Sequence, residues 1–385
     1  MRCTCRSSAD APFVTRCDGH RAGAADPTRL QSPPRPNGPS RPREDTLSYA
    51  ANEPLARWLS QETPEEALEP ALRIVDPHHH LWDIRQSTAE PLKSFEQKVY
   101  LCEEIVDDIR GSGHNVVQTV FAQCGAFYRA DGPQAMRCVG ETEFVHGIYA
   151  MSNSGVYGDL RLCTGIFGSA DLRLGRQVEP VLQAHLAASP NFRGVRTAFP
   201  SDLDEQFLQG YALLAKHELT FDNWSPDFGR LPTLARLANA NSDVTVIVNH
   251  LGGKIDPAAP AEDLARWRAG IDAVARCSNT VMKCGGGQMR VGNWEPPFHM
   301  HQRATPMGSD ALCDLLFPFY QYVIEAFGPE RCMFESNFPV DKECVSYRTL
   351  WNVFKRIAAR LGLSASEKAA IFAGTATRVY RLQAR

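Results

Sequence analysis

The chain has 385 residues, of which 43% are hydrophobic and 22% are charged, and its formal net charge at pH 7 is −3. These proportions are those of an ordinary globular protein, and no apolar run approaches the roughly 20 residues that span a membrane. The small net charge lacks the basic excess of proteins that bind nucleic acids or anionic lipids. We therefore expect neither partner, and we expect a cytoplasmic protein.

Residues 1–52 differ in composition from the rest of the chain. The stretch QSPPRPNGPSRPRED is rich in Pro, Arg and Ser and has almost no large apolar side chains to bury. This composition predicts a disordered N-terminal extension. The twelve cysteines are scattered and form no CxxC pair, which indicates buried reduced thiols rather than a disulfide framework.

From residue 71 onward, short apolar segments alternate with longer helical ones. The predicted strands cover residues 72–76, 116–124, 162–171, 192–197, 219–224, 244–250, 280–285 and 332–337. Helical segments between them include 204–217, 227–240, 261–276 and 346–361, with Asp204, Asp227 and Ser346 as N-caps and Gly362 as a stop. Connections long enough for helices imply parallel strands. We predict an α/β fold, a (β/α)8 TIM barrel, with a doubly wound open sheet as the alternative.

The strongest chemical motif is Asp76-Pro77-His78-His79-His80, directly after the first predicted strand. Side chains at positions i and i+2 of an extended segment lie on the same face. His78 and His80 are therefore predicted to converge on one metal ion while His79 points away, and Asp76 is placed to orient them. The alternative is a polar turn whose histidines only form hydrogen bonds. The end of a barrel strand, where such enzymes carry their sites, favours ligation.

A second histidine ends the sixth predicted strand, in the sequence Val248-Asn249-His250-Leu251-Gly252-Gly253. Burying an imidazole after a run of apolar β-formers is unfavourable unless it is paired or bound to a ligand. The following glycines allow the backbone to approach a ligand closely. We predict that His250 is the third metal ligand. A histidine that is merely hydrogen-bonded beneath a loop is the alternative.

Polar residues also end the eighth predicted strand, where Glu335 and Asn337 share a face and Asp341 lies just beyond them. We predict that all three belong to the catalytic set. Asn337 can bind substrate or hold a water but cannot accept a proton as a general base. For Asp341, a helix cap or surface charge is the alternative.

Three charged residues on the fourth and fifth strands complete the predicted site. Arg193 and Arg196 are suited to clamp a substrate carboxylate through paired hydrogen bonds, and Asp222 joins them as a substrate-binding candidate. The alternative is that these residues form structural salt bridges between strands.

Taken together, these motifs resemble the amidohydrolase-related, metal-dependent hydrolases of the TIM-barrel superfamily, particularly members similar to 2-pyrone-4,6-dicarboxylate lactonase. The resemblance covers residues 70–382, which we interpret as one barrel domain, and includes the closing segment FAGTATRVYRL. The family pattern D-x-H-x-H is matched by Asp76, His78 and His80, and the strand-six histidine by His250. The family's strand-eight carboxylate falls on Asn337, where this sequence departs from the pattern.

The resemblance implies a hydrolase that acts on a small carboxylated lactone, ester or amide. In one version His78, His80 and His250 hold a single divalent ion, zinc or manganese, and Glu335 or Asp341 takes the proton from water. In a metal-free version the histidines stabilise the oxyanion and Arg196 binds the substrate carboxylate. Two alternatives are a decarboxylase of small aromatic or semialdehyde acids and a catalytically inactive small-molecule-binding barrel. A homo-oligomer is compatible with each of these functions.

Overall fold

Eight parallel strands form one sheet in which each strand pairs with the next in chain order. The computed structural model describes residues 52–87, 92–200, 202–288 and 303–383. In it the strands are β1 (Arg73–His79), β2 (Asn115–Ala122), β3 (Arg161–Gly168), β4 (Phe192–Ala198), β5 (Thr220–Trp224), β6 (Val246–Val248), β7 (Thr280–Cys284) and β8 (Cys332–Phe334). Apart from Asn52, the predicted N-terminal extension 1–52 lies outside the described residues.

The strands are buried on both sides, because neighbouring residues of a strand point to opposite sides of the sheet. One set of apolar side chains forms the interior of the barrel: Val75, Val120, Phe167, Ile247, Val281 and Met333. The alternating set packs beneath the helices: Ile74, Phe121, Ile166, Val246, Met282 and Phe334. On β7 and β8 the inward alternation places Lys283 and Glu335 on the same side as Val281 and Met333.

The segments at the two ends of the sheet meet and nearly close a barrel. His79 and Phe338 form a parallel bridge, and the His80 N–H donates to the Phe338 carbonyl at 2.7 Å. Asp76 takes part in this closure, since its carboxylate accepts the Ser336 N–H at 2.9 Å and the Tyr347 hydroxyl at 2.9 Å. The predicted (β/α)8 barrel is confirmed over the open sheet, and Asp76 joins β1 to the β8 segment rather than contacting the histidine rings.

A helix follows each strand, as predicted. After the short α1 (Glu53–Leu59), these eight helices are α2 (Cys102–Ser112), α3 (Val139–Asn153), α4 (Glu179–Ala188), α5 (Glu205–Lys216), α6 (Leu231–Ala240), α7 (Ala261–Ala275), α8 (Ser309–Phe327) and α9 (Tyr347–Arg360). Among the described residues, no helix is both long and apolar enough to cross a bilayer. The described cysteines are all free thiols, and all except Cys124 are buried.

The predicted helix caps agree with the structure except at one position. Asp204 accepts the Phe207 N–H at 2.7 Å and Ser346 accepts the Thr349 N–H at 3.2 Å, so α5 and α9 begin directly after them. Asp227 instead caps a 3-10 turn, Phe228–Arg230, and α6 begins only after that turn. Gly362 stops α9 with a φ of 66°, a left-handed conformation that favours glycine.

The C-terminal segment covers the end of the barrel at which the strands begin. Its helices are α10 (Ala365–Ala369) and α11 (Thr375–Val379), joined by a π-helical turn. Side chains of this segment share the apolar cluster of the barrel interior: Ala373, Ala376, Val379, Tyr380 and Leu382. Because this apolar segment fills the end where the strands begin, the open end of the barrel is the one where the strands end.

Candidate active site

The histidines after β1 divide between two sides of the strand, as their spacing predicts. His78 Nε2 and His80 Nε2 lie 3.3 Å apart, whereas His79 Nε2 is 2.8 Å from the Thr119 hydroxyl on β2. All three rings are buried. Burial lowers the pKa of His78 and of His80 well below the usual value, so both rings are neutral and offer nitrogen lone pairs to a ligand.

The third predicted histidine lies beside them. The ring centroids of His250 and His78 are 4.6 Å apart. The strand β6 ends earlier than predicted, at Val248, because His250 and Leu251 adopt left-handed backbone angles with φ of 54° and 55°. This turn ends the strand pairing and carries the imidazole into the mouth of the barrel, where Trp224 packs edge-on against it at 4.8 Å.

Glu335 connects two of these imidazoles. Its Oε1 lies 2.7 Å from His250 Nδ1 and its Oε2 lies 2.9 Å from His78 Nδ1. Paired with an ionised Glu335, His250 carries its proton on Nδ1 and keeps a lone pair on Nε2. The Nδ1 of His78 also lies 3.2 Å from the Lys283 ammonium, which only donates, so this nitrogen is an acceptor. Burial raises the pKa of Glu335 to about 8, against the lowering effect of Lys283 and Arg196. A Cβ at Gly285 would lie 2.3 Å from Glu335, so glycine makes room for this side chain.

The proton position on His80 follows from a different partner. Its Nδ1 lies 2.8 Å from the backbone carbonyl of Ala122 at the end of β2. A carbonyl oxygen can only accept, so Nδ1 carries the proton and Nε2 has the lone pair. The three predicted histidines therefore converge, each with its Nδ1 held from behind.

Asn337 and Asp341 form a pair beyond β8, which ends at Phe334 and not at 337 as predicted. Asn337 has a φ of 54° and donates its side-chain N–H to Asp341 Oδ1 at 3.0 Å. Asn337 lines the cavity, whereas Asp341 is fully buried behind it. Burial raises the pKa of Asp341 well above its usual value. The structure therefore brings Asn337 to the cavity wall, while Asp341 holds it in place.

A buried ion pair forms the floor beneath the imidazoles. Lys283 Nζ lies 3.0 Å from Asp222 Oδ1 and 3.2 Å from His78 Nδ1, and the Tyr380 hydroxyl donates to the same Asp222 oxygen at 2.7 Å. Substrate binding by Asp222 stays a prediction; in the structure its carboxylate contacts Lys283 and Tyr380. Lys283 is not among the predicted site residues. Its charge within the apolar run TVMKC was the available signal.

The two arginines of β4 lie at different ends of the strand. Arg196 lines the cavity, and its Nη1 lies 3.2 Å from His78 Nε2. Arg193 donates instead to the carbonyls of Tyr380 and Pro190 at 2.7 and 2.6 Å. Three residues of strand span about 10 Å, so the structure does not bring the two guanidinium groups together, and substrate binding by Arg193 and Arg196 stays a prediction. Among the described residues, no carboxylate forms an ion pair with Arg196.

The cavity at this end of the barrel has a volume of about 220 Å³. Its floor is polar and its walls are largely aromatic and aliphatic. The polar lining residues are His80, Gln123, Arg196, His250 and Asn337, and the apolar ones include Trp82, Leu92, Phe95, Trp224 and Val340. A cavity of this size with a few converging polar groups suits a small molecule.

One group of buried residues could hold a metal ion. Ligand atoms of His78, His250 and Glu335 lie within 4.8 Å of one another. Imidazole nitrogens and a carboxylate oxygen are donors that zinc accepts, so the donor chemistry fits a divalent ion. The predicted set had His80 in place of Glu335. Lys283 and Arg196, each 3.2 Å from a ring nitrogen of His78, set two positive charges against such an ion.

Residues 75–382 match the sequence model of the amidohydrolase family, and the chain belongs to that family. Protein y4mH of Sinorhizobium fredii is 29% identical over 81% of this chain and 99% of its own length. L-fucono-1,5-lactonase of Burkholderia multivorans is 28% identical over 48% of this chain and 58% of its own. A crystal structure of a Burkholderia multivorans amidohydrolase with bound zinc shares the fold, with a TM-score of 0.61, 21% identity, and coverage of 80% of this chain and 99% of that one.

Proposed function

We propose that this protein hydrolyses a small carboxylated lactone or ester, with an amide as the next choice. One observation carries the proposal: the Glu335 carboxylate lies within 2.9 Å of Nδ1 of both His250 and His78, at the base of a cavity that Arg196 lines. The lactonase among its relatives supports the substrate class, because a cyclic ester is the group that protein opens by hydrolysis.

Arg196 is the group we assign to the substrate carboxylate. Its guanidinium faces the cavity and forms no ion pair within the described part of the chain, so it can form two parallel hydrogen bonds with a planar carboxylate. Binding there would set the ester carbonyl against the neighbouring imidazoles. Asn337, whose N–H is taken by Asp341, offers its side-chain oxygen as an acceptor for a water or a substrate hydroxyl.

In the version without a metal ion, we assign proton removal from the attacking water to His250 Nε2, because a ring nitrogen that binds an ion has no lone pair left for a proton. The His250 ring lines the cavity and is neutral, since burial lowers its pKa well below the usual value. The Glu335 oxygen at 2.7 Å from Nδ1 would stabilise the imidazolium that forms when Nε2 takes a proton. Asn337 cannot perform this step, and Asp341 is buried behind Asn337.

The cofactor we propose is a single divalent ion, zinc or manganese, held by His78, His250 and Glu335, with His80 as an additional imidazole. When bound, such an ion lowers the pKa of a coordinated water and polarises a carbonyl. In the metal-free alternative, Arg196 and the imidazoles supply the positive electrostatic environment for the oxyanion. Element analysis of the purified protein, with activity before and after chelation, separates the two versions.

The test of the function is proton release at constant pH from a panel of lactones and esters. The panel pairs sugar lactones with pyrone and alkyl lactones, each with and without a carboxylate. Hydrolysis of carboxylated members, lost in His250→Ala, supports the proposal. Carbon dioxide release from aromatic or semialdehyde acids without hydrolysis would assign a decarboxylase, and binding without turnover would assign an inactive barrel. The cytoplasm and a homo-oligomeric state remain our expectations for this enzyme.

A further inference from the structure

A buried carboxylate outside the cavity is tied to the loop that follows β2. Glu141, in the first turn of α3, is 1% exposed, and its Oε1 accepts three backbone N–H groups. The donors are Cys124, Gly125 and Ala126, at 3.0, 2.9 and 3.0 Å. Three consecutive amides directed at one oxygen form a concave anion-binding nest. Here the anion is a side chain of the protein itself.

The loop held by Glu141 contributes directly to the candidate active site. Gln123 and Cys124 line the cavity. The carbonyl of Ala122, immediately before them, is the group that fixes the proton on His80 Nδ1. Glu141 thus acts on the cavity through two backbone-connected features, a wall and an imidazole, without lining the cavity itself.

Helix α3 packs closely against this loop. A Cβ at Gly140 would lie 2.7 Å from the backbone of Phe127 and of Arg129, so only glycine permits this close approach. Gly125 and Phe127 have φ values of 85° and 56°. A left-handed loop of this kind turns its N–H groups out of any strand ladder, so they need an acceptor from elsewhere.

We propose that Glu141 is a positioning residue that holds the β2 loop so that Gln123, Cys124 and the Ala122 carbonyl keep the geometry required for turnover. This inference rests on the proposed hydrolytic function. The neighbours of the Glu141 carboxylate in the described chain include Tyr128, Cys124 and Cys138, and none of these three side chains carries a positive charge.

The test compares Glu141→Ala and Glu141→Gln with the wild type in the hydrolysis assay. An alanine removes the acceptor of all three N–H groups, whereas a glutamine retains one oxygen in the same place. We expect Glu141→Ala to lower kcat/KM by about 10–100-fold and Glu141→Gln to stay within about threefold of the wild type. Glu143→Ala on the same helix is the matched control, because Glu143 is exposed and, within the described residues, forms its ion pair with Arg129.

A second readout needs no substrate, so it separates this inference from the proposed function. Cys124 is alkylated with iodoacetamide, and peptide mass spectrometry measures its rate in each folded variant. Burial, and after it the Glu141 carboxylate that its Sγ contacts at 3.5 Å, raise the pKa of its thiol well above the usual value, so the wild type should react slowly. We expect at least a tenfold faster rate in Glu141→Ala and a smaller increase in Glu141→Gln, which removes the charge but keeps an acceptor oxygen.

Two results would overturn the proposal. One is that kcat/KM and the alkylation rate are both unchanged in Glu141→Ala. The other is that Glu141→Gln loses as much kcat/KM as the alanine variant. If Glu141→Ala does not fold, Glu141→Asp takes its place, since a shorter carboxylate cannot reach all three amides. If no substrate is hydrolysed, faster alkylation in Glu141→Ala still supports the holding of the loop, and unchanged alkylation overturns it.

Discussion

Glu335 Oε1 and His250 Nδ1 lie 2.7 Å apart, and both side chains are almost completely removed from solvent. The residues are 85 positions apart in the chain, so the barrel alone brings them together. The other carboxylate oxygen lies 2.9 Å from His78 Nδ1, so one side chain lies between two imidazoles and holds the proton of His250 on Nδ1. The chemistry of the site follows from this arrangement.

Glu335→Gln should lower kcat/KM by about 10–100-fold with little change in KM. An amide carries no negative charge, so it can no longer stabilise a positive charge on the His250 ring. Steady-state kinetics beside a melting curve measures the effect, and an unchanged kcat would contradict the role of Glu335.

His250→Ala should lower kcat by about 10²–10⁴-fold, the contribution of a positioned general base. The control is His79→Gln, because His79 is equally buried but faces Thr119 rather than the cavity. His79→Gln should keep the wild-type dependence of kcat on pH, which rate measurements over a range of pH would show. If His250→Ala keeps wild-type turnover, the base is another residue.

Arg196→Lys should raise KM for carboxylated substrates by about 10–100-fold, since one hydrogen bond to a charged group is worth about 1.5–3 kcal/mol. Analogues without the carboxylate should be unaffected. Arg193→Lys provides the comparison on the same strand, because Arg193 binds carbonyls at the closed end of the barrel. Equal KM shifts for carboxylated and neutral substrates would argue against carboxylate recognition by Arg196.

Tyr380→Phe should reduce the free energy of unfolding by about 1–3 kcal/mol. The hydroxyl donates to buried Asp222, and its loss leaves that oxygen to Lys283 alone. Tyr322→Phe removes a similar hydrogen bond to Asp272, but in a partly exposed location, and should change stability by less than about 0.5 kcal/mol. Urea titrations of both variants test the difference, which should vanish if the interior pair is unimportant.

The pH dependence of stability should change in Glu141→Gln. Burial raises the pKa of Glu141 from 4.5 to about 7, so the folded state binds this proton more tightly than the unfolded state. Its stabilising contribution is complete below about pH 4.5 and is lost as the pH rises through about 7. Relative to the variant, the wild type should lose about 1–3 kcal/mol over this range. Parallel curves for the two proteins in denaturant titrations would refute this.

Much of the fold was predictable because its signals are local. The helices 204–217 and 346–361 were placed to within a residue or so by N-caps and apolar periodicity, and both caps form the expected hydrogen bonds. The strands 244–250 and 332–337 were predicted too long. Their apolar and extended sequences run up to His250 and Asn337, but both residues adopt left-handed angles. The surrounding structure imposes this conformation.

The candidate site was predictable where the spacing of residues alone decides to which side of a strand a side chain points. The separation of His78 and His80 from His79 is a property of any extended chain. The contacts of Arg193 and Asp222 could not be predicted because each residue has a partner distant in sequence. Arg193 meets the C-terminal segment near Tyr380, and Asp222 meets Lys283. Glu141 could not be found at all, since a glutamate in a helix has no sequence signal of burial.

The sequence by itself determined the βα alternation, hence a parallel barrel, and the imidazoles at the ends of two of its strands, because periodicity and capping act within a few residues. The tertiary structure decided which groups face one another. It set Glu335 between two histidines, placed Lys283 below them, and separated Arg196 from Arg193. Hydrogen bonds of this kind reach only about 3 Å, so they exist only after strands distant in sequence have closed into one wall.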